Sequence, residues 1–175
     1  LAPLMGRRAI VLSRRNSQTE ALKLAKHAFT ILAVTDSHGE VASLQVTMGV
    51  CHHRLGRLDK AQEFYTDALG TYRRIGDEVG RAKLLNNLAL LHKNGCRWNQ
   101  ALDLLAKAVE IARHHGATHL LSYLYLNRGI VLTKIDHLDE ARAELEKSLR
   151  ISRSLGNRPR LARVLLAFAA LEIAA

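Results

Sequence analysis

The sequence predicts an all-α chain assembled from antiparallel helix pairs, and three observations carry that expectation. The chain matches itself at a period of forty residues, the mark of a repeat architecture. Within a copy, apolar residues recur at helical spacing, as in Leu84, Leu85, Leu88 and Leu91. Composition removes the alternatives: 48% hydrophobic and 24% charged residues argue against disorder, and 2 Pro with 5% aromatics disfavour an all-β sandwich or a collagen. At 175 residues the chain has room for one domain and its core.

The repeat columns place each element. Ala21, Ala61, Ala101 and Ala141 align, Ala28, Ala68 and Ala108 align with Ser148, and Ala9, Gly49, Ala89, Gly129 and Ala169 form a further small column. Small side chains at these places let paired helices approach closely. The first repeat, 3–42, is read as helices over 4–15 and 19–34, with Thr19 as N-cap. Repeats 43–82, 83–122 and 123–162 follow, with first helices over 43–55, 83–95 and 123–135. Their second helices run over 59–75, 99–115 and 139–155, capped by Asp59, Asn99 and Asp139. A truncated fifth first helix begins at 163. Gly76, Gly116 and Gly156 punctuate the repeats, and the last two suit a left-handed helix terminus.

These residues resemble the tetratricopeptide repeat family. The resemblance is carried by LNNLALL (85–91) with Ala101 and Ala108, LNRGIVL (126–132) with Ala141 and Leu145, and MGVCHHRLGRLDKAQEFYTDAL (48–69). It covers nearly the whole chain as a single array, 1–175, in the forty-residue variety of bacterial regulators and kinesin light chains. Departures stand out: His52 and His92 replace an aromatic, Arg8 and Arg128 replace an aliphatic, and the first copy lacks the glycine turn. The resemblance implies a right-handed α-solenoid whose first helices line a concave, peptide-binding side.

Most residues that could carry chemistry have a plainer role. His52–His53 and His114–His115 are adjacent pairs, which point apart on a helix, and His115 and His119 are separated by Gly116. No three ligands converge in the sequence, so no metal and no cofactor is expected. Cys51 shares an apolar column with Val11, Leu91 and Val131 and reads as buried; Cys96 sits in a turn. Glu144 and Glu146 lie among Arg142, Lys147 and Arg150, which reads as a solvated face. Trp98 shares the turn column of Leu58 and Leu138 and reads as packing. No GxxxxGK[ST] loop is present, and nothing points to an enzyme.

The charge points to the first helices. The net charge of +10 is spread over the repeats rather than held in a tail. Over their predicted bounds the four complete first helices contain no Asp or Glu but hold nine Lys and Arg residues. Burial would deplete both signs, so the concave side is expected to be positive. Helical steps of four, three and four give the rows Pro3–Arg7–Ile10–Arg14, Ser43–Thr47–Val50–Arg54, Lys83–Asn87–Leu90–Asn94 and Tyr123–Asn127–Ile130–Lys134. Asn87 and Asn127 resemble the family's asparagine ladder, offering donors and an acceptor to a peptide backbone. The candidate groove residues are Arg7, Arg14, Thr47, Arg54, Lys83, Asn87, Asn127 and Lys134.

The expected function is a protein-interaction or sensor module that binds an acidic extended peptide, as in the repeat region of a multidomain bacterial transcription regulator. Nucleic-acid binding is the alternative, weakened because only Tyr123 and Tyr125 could stack on bases from first helices. A third reading is a scaffold that self-associates through the apolar end RVLLAFAALEIAA (163–175). Two cysteines without a zinc spacing, no signal-peptide pattern and no apolar run near the ~18 residues of a membrane span suggest the cytoplasm. Leu1 in place of an initiator Met suggests a piece of a longer chain.

Overall fold

The computed structural model describes residues 1–174, which form nine helices and no strand. In order they are α1 (Ala2–Arg14), α2 (Gln18–Leu32), α3 (His38–Arg54), α4 (Leu58–Ile75), α5 (Glu78–Asn94), α6 (Trp98–His114), α7 (Thr118–Lys134), α8 (Leu138–Ser154) and α9 (Arg158–Ala174). The fold class is all-α, as the periodicity requires. No helix of the described residues is long and apolar enough to cross a membrane.

The turns explain why the helices begin where they do. Asn16, Gly56, Cys96 and Asp136, forty residues apart, all take the left-handed conformation, with φ of 68°, 73°, 56° and 64°. Around each, the next N–H reaches five residues back: Ser17 to the Leu12 carbonyl, Arg57 to His52, Arg97 to His92 and His137 to Leu132, at 2.9–3.0 Å. This closes a helix C-terminus and delivers the next residue as the following N-cap. The N-caps are therefore Ser17, Arg57, Arg97 and His137, with no side-chain cap bond. Thr19, Asp59, Asn99 and Asp139, expected as caps, lie inside the first turn instead. There the two carboxylates favour the positive helix end. The first repeat does without glycine because asparagine tolerates this conformation better than most side chains.

The same device at Gly76, Gly116 and Gly156 joins one repeat to the next, with φ of 69°, 62° and 61°. Two residues after each of these glycines the next first helix begins. First helices thus begin about five residues earlier than the sequence reading placed them, and α9 is a full-length helix rather than a truncated one. This corrects the charge count: Glu40 lies on α3 and Glu78 on α5.

The chain gathers into two compact units, Leu1–Asn87 and Leu88–Ala175. In the first, α1 packs on α2, α2 on α3 and α3 on α4. Helix α1 also touches α3, whereas α2 and α4 do not meet. The first helices are therefore the inner layer of this unit and the second helices the outer. In the second unit α6 packs on α7, α7 on α8, α8 on α9, and α7 again touches α9. The core of the first unit includes Ala9, Ala21, Ala28, Leu44, Met48 and Cys51; that of the second includes Leu126, Ala141, Leu145, Val164 and Leu171.

The small columns do what their spacing implies. Ala21, Ala61, Ala101 and Ala141 are fully buried. A Cβ on Gly49 would run into the Tyr65 ring, and one on Gly129 would come within 2.7 Å of the Leu145 side chain. Glu144 departs from the expected solvated face. It is 5% exposed, with Arg128 at 3.4 Å and Lys147 at 2.6 Å. Arg128, one of the departures from the family pattern, is thereby explained: the two residues replace an apolar pair by an ionic one.

Candidate peptide-binding surface

The inner layer of the first unit opens into a cleft of about 250 Å³ between α1 and α3. Pro3, Gly6, Arg7 and Ile10 line it from α1, Glu40, Ser43 and Leu44 from α3, and Leu32 from the end of α2. The floor is largely apolar, with Arg7, Glu40 and Ser43 as its polar points. Pro3, Arg7, Ile10 and Ser43 belong to rows read from the sequence. Gly6, Leu32, Glu40 and Leu44 do not. Glu40 was missed because α3 begins earlier than its apolar pattern shows, and Leu32 because it comes from a second helix.

The other candidate residues are placed differently. Thr47 is buried, and its hydroxyl donates to the Ser43 carbonyl at 2.8 Å. Arg54 donates to the Ser13 carbonyl at 2.6 Å, tying α3 to the C-terminal end of α1. Arg14 and Lys83 are exposed, and Asn87 is half-buried. In the second unit Asn127 is buried and Lys134 exposed at the end of α7. Glu78, the acid on α5, is occupied by Arg81 at 2.7 Å. The inner face of the first unit is thus of mixed charge within its cleft.

The histidines divide as their columns suggest. His52 is buried and stacks on Phe64 with 5.5 Å between ring centres. Burial first, then the charges of Arg57, Lys60 and Lys26, hold its pKa below the usual histidine value. His92 is lowered in the same way by burial and by Arg97. His114, His115 and His119 are exposed. Among the described residues no three His, Cys, Asp or Glu side chains converge where a metal ion could sit. Burial pushes the Cys51 thiol up, away from the reactive thiolate. Trp98, Leu58 and Leu138 are all partly buried in their shared turn position.

Paired helices at a forty-residue period, stacked with first helices inward, define a helical-repeat protein. The sequence signature of the Tetratricopeptide repeat family matches residues 1–74, 40–114 and 80–154, and the chain belongs to that family. It is 32% identical over 96 residues to a Tetratricopeptide repeat protein 36 homolog of Drosophila melanogaster, covering 55% of this chain and 48% of the relative. The chain spans about half the length of such relatives. Among solved structures it is similar to aspartyl phosphate phosphatase F from Bacillus subtilis, with a TM-score of 0.87 and 12% identity over 95% of this chain and 44% of that one. It is equally similar to the Rap conjugation gene regulator of plasmid pLS20, solved with the Phr* peptide, with a TM-score of 0.87 and 18% identity over 99% of this chain and 48% of that one. Both are likenesses of fold. The fold and family make this chain a protein-interaction module.

Proposed function

We propose that the chain is a sensor module that takes an extended peptide on its first-helix face, with an acidic residue of that peptide beside Arg7. The observation that carries this is the open cleft between α1 and α3, an apolar floor with a few polar points, which is how peptide sites combine affinity with orientation. Arg7 offers a fork to a carboxylate, Ser43 a hydroxyl, and Glu40 an acceptor for a donor of the same peptide. Arg14, Lys83 and Lys134 add exposed positive charge, and Asn87 offers its amide to a ligand backbone. Thr47, Arg54 and Asn127 act from beneath or between helices and set the shape of the face. The pLS20 regulator, of like fold and solved with a peptide, supports a role in regulation through peptide sensing. We assign no catalytic role to the chain, and read it as the sensing array of a cytoplasmic transcription regulator.

A displayed peptide library captured on the whole protein tests this. Captured peptides should share an acidic residue next to an apolar one. Arg7→Glu should weaken them about tenfold at low salt and less at physiological salt, where the Debye length is ~8 Å. Peptides without acidic bias, or affinity unmoved by Arg7→Glu, would overturn the assignment, as would preferential capture of single-stranded nucleic acid.

A further inference from the structure

The second unit carries a different cluster on its first helices, and there the charge is of one sign. Arg160, in the first turn of α9, is 5% exposed. Its guanidinium donates to the His119 carbonyl at 2.8 Å and lies over the ring of Tyr123, while its Nε is buried with no hydrogen-bond partner. The equivalent positions in earlier repeats hold Glu40, Gly80 and Leu120, so a buried arginine here is particular to the last helix. Arg163, one turn further along α9, is exposed. Burial and then the charge of Arg163 hold the Lys93 ammonium below its ordinary pKa, so the positive fields of the two side chains overlap. Arg160 is lowered too, by burial first, with Arg163 again contributing. Among the described residues no carboxylate forms an ion pair with any of these three cations.

Gathering like charges without a counter-charge costs Coulomb energy, and burying one of them costs desolvation as well. The arrangement becomes favourable when an anion arrives. We infer that Lys93, Arg160 and Arg163, beside Tyr123, form a seat for an anionic side chain, a carboxylate or a phosphoryl group, carried by a bound peptide. Arg160 is already fixed by its stack on Tyr123 and its bond to His119, so it loses little freedom on binding. Arg163 and Lys93 close on the remaining oxygens. Tyr123, 40% exposed, offers an apolar edge to the stem of the ligand side chain. The seat belongs to the second unit and the cleft to the first, so either can fail without the other.

The experiment uses the whole chain and three versions of one short peptide, carrying phosphoserine, aspartate or serine at its centre. Binding is read from the arginine Nε–H resonances and from the thermal midpoint. The phosphoserine or the aspartate peptide should bind saturably, shift the Arg160 signal, and exceed the serine peptide by about tenfold. The stronger of the two identifies the source of the anion. Lys93→Gln with Arg163→Gln, both partly or wholly exposed, should abolish the preference read at the Arg160 signal, while Arg7→Glu, which weakens peptides in the other cleft, should not change that local reading. Arg163→Lys should keep part of the preference. No preference over the serine peptide at the Arg160 signal up to about 1 mM, or one that survives there in the double variant, would overturn the seat. Tighter binding of a single-stranded oligonucleotide than of either anionic peptide would overturn its assignment to a peptide.

Discussion

The α3/α4 pair and the α7/α8 pair are built on one forty-residue template, yet they fill the same place with opposite chemistry. In α3/α4 the template positions hold Met48 and Phe64, both packed in the apolar cluster of the first unit. In α7/α8 they hold Arg128 and Glu144, with Lys147 as a second partner. One turn along, His52 in the first pair corresponds to Leu132 in the second. The helix geometry is the same in both. The interior of a pair accepts either solution when a buried charge has an opposite charge beside it, even though Arg128 Nε and Glu144 Oε2 make no hydrogen bond.

The largest expected effect comes from breaking the ionic version. Arg128→Met leaves the buried Glu144 with Lys147 alone and should cost about 2–3 kcal/mol in urea unfolding. Arg128→Met with Glu144→Phe restores the α3/α4 solution and should bring stability back to within about 1 kcal/mol of the parent, or above it. If the double variant is no better than the single one, the two pairs are not interchangeable.

The small columns give the next effect. Gly49→Ala drives a Cβ into the rigid, fully buried Tyr65 ring and should destabilise by about 1–3 kcal/mol. Gly129→Ala should cost less, because the opposing Leu145 side chain can rotate away. Ala101→Leu should cost a similar 1–3 kcal/mol or so. Equal melting temperatures for Gly49→Ala and the parent would count against the packing register.

Smaller effects separate turns and histidines. Cys96 holds a left-handed turn that Gly56 holds without strain, so Cys96→Gly should stabilise by up to about 1 kcal/mol, and Gly56→Cys should do the reverse. For the histidines, the folded pKa values of His52 and His92 lie below the unfolded value of ~6.5. The unfolded chain therefore takes up protons first, and their contribution, complete above that value, is lost as pH falls through it. His52→Leu, which copies Leu132, should flatten the fall of the thermal midpoint between neutral and acid pH. An unchanged slope would show that His52 does not titrate on unfolding.

The repeat, its period and the helix pairs were legible because small residues recur in columns that only a repeated close approach explains. The family followed from the same columns. Helix starts were less legible: Asp59, Asn99 and Asp139 are good caps by type, but the left-handed turn before them delivers Arg57, Arg97 and His137 to the cap instead. Of the surface, Arg7, Ile10 and Ser43 were read from helical rows, since a face is a matter of spacing. Glu40 and Leu32 were not, because one lies outside the apolar pattern of its helix and the other belongs to a different helix. Arg160 was invisible for a further reason: its column holds Glu40, Gly80 and Leu120, which share no character that a repeat could mark.

The hydrogen bonds that tie one repeat to the next are short in sequence terms. Arg54 to Ser13 and Arg160 to His119 each span 41 positions, and a helix packs on its neighbours at most one repeat away along each unit. A chain whose contacts are all this local searches little conformational space before its contacts reward it. Refolding should be complete within milliseconds, in the range of helical bundles rather than of β-barrels. It can nucleate wherever a helix pair first closes and spread by accretion, so a slow phase would have to come from an isomerising proline bond, at Pro3 or Pro159, near the two extremities of the chain.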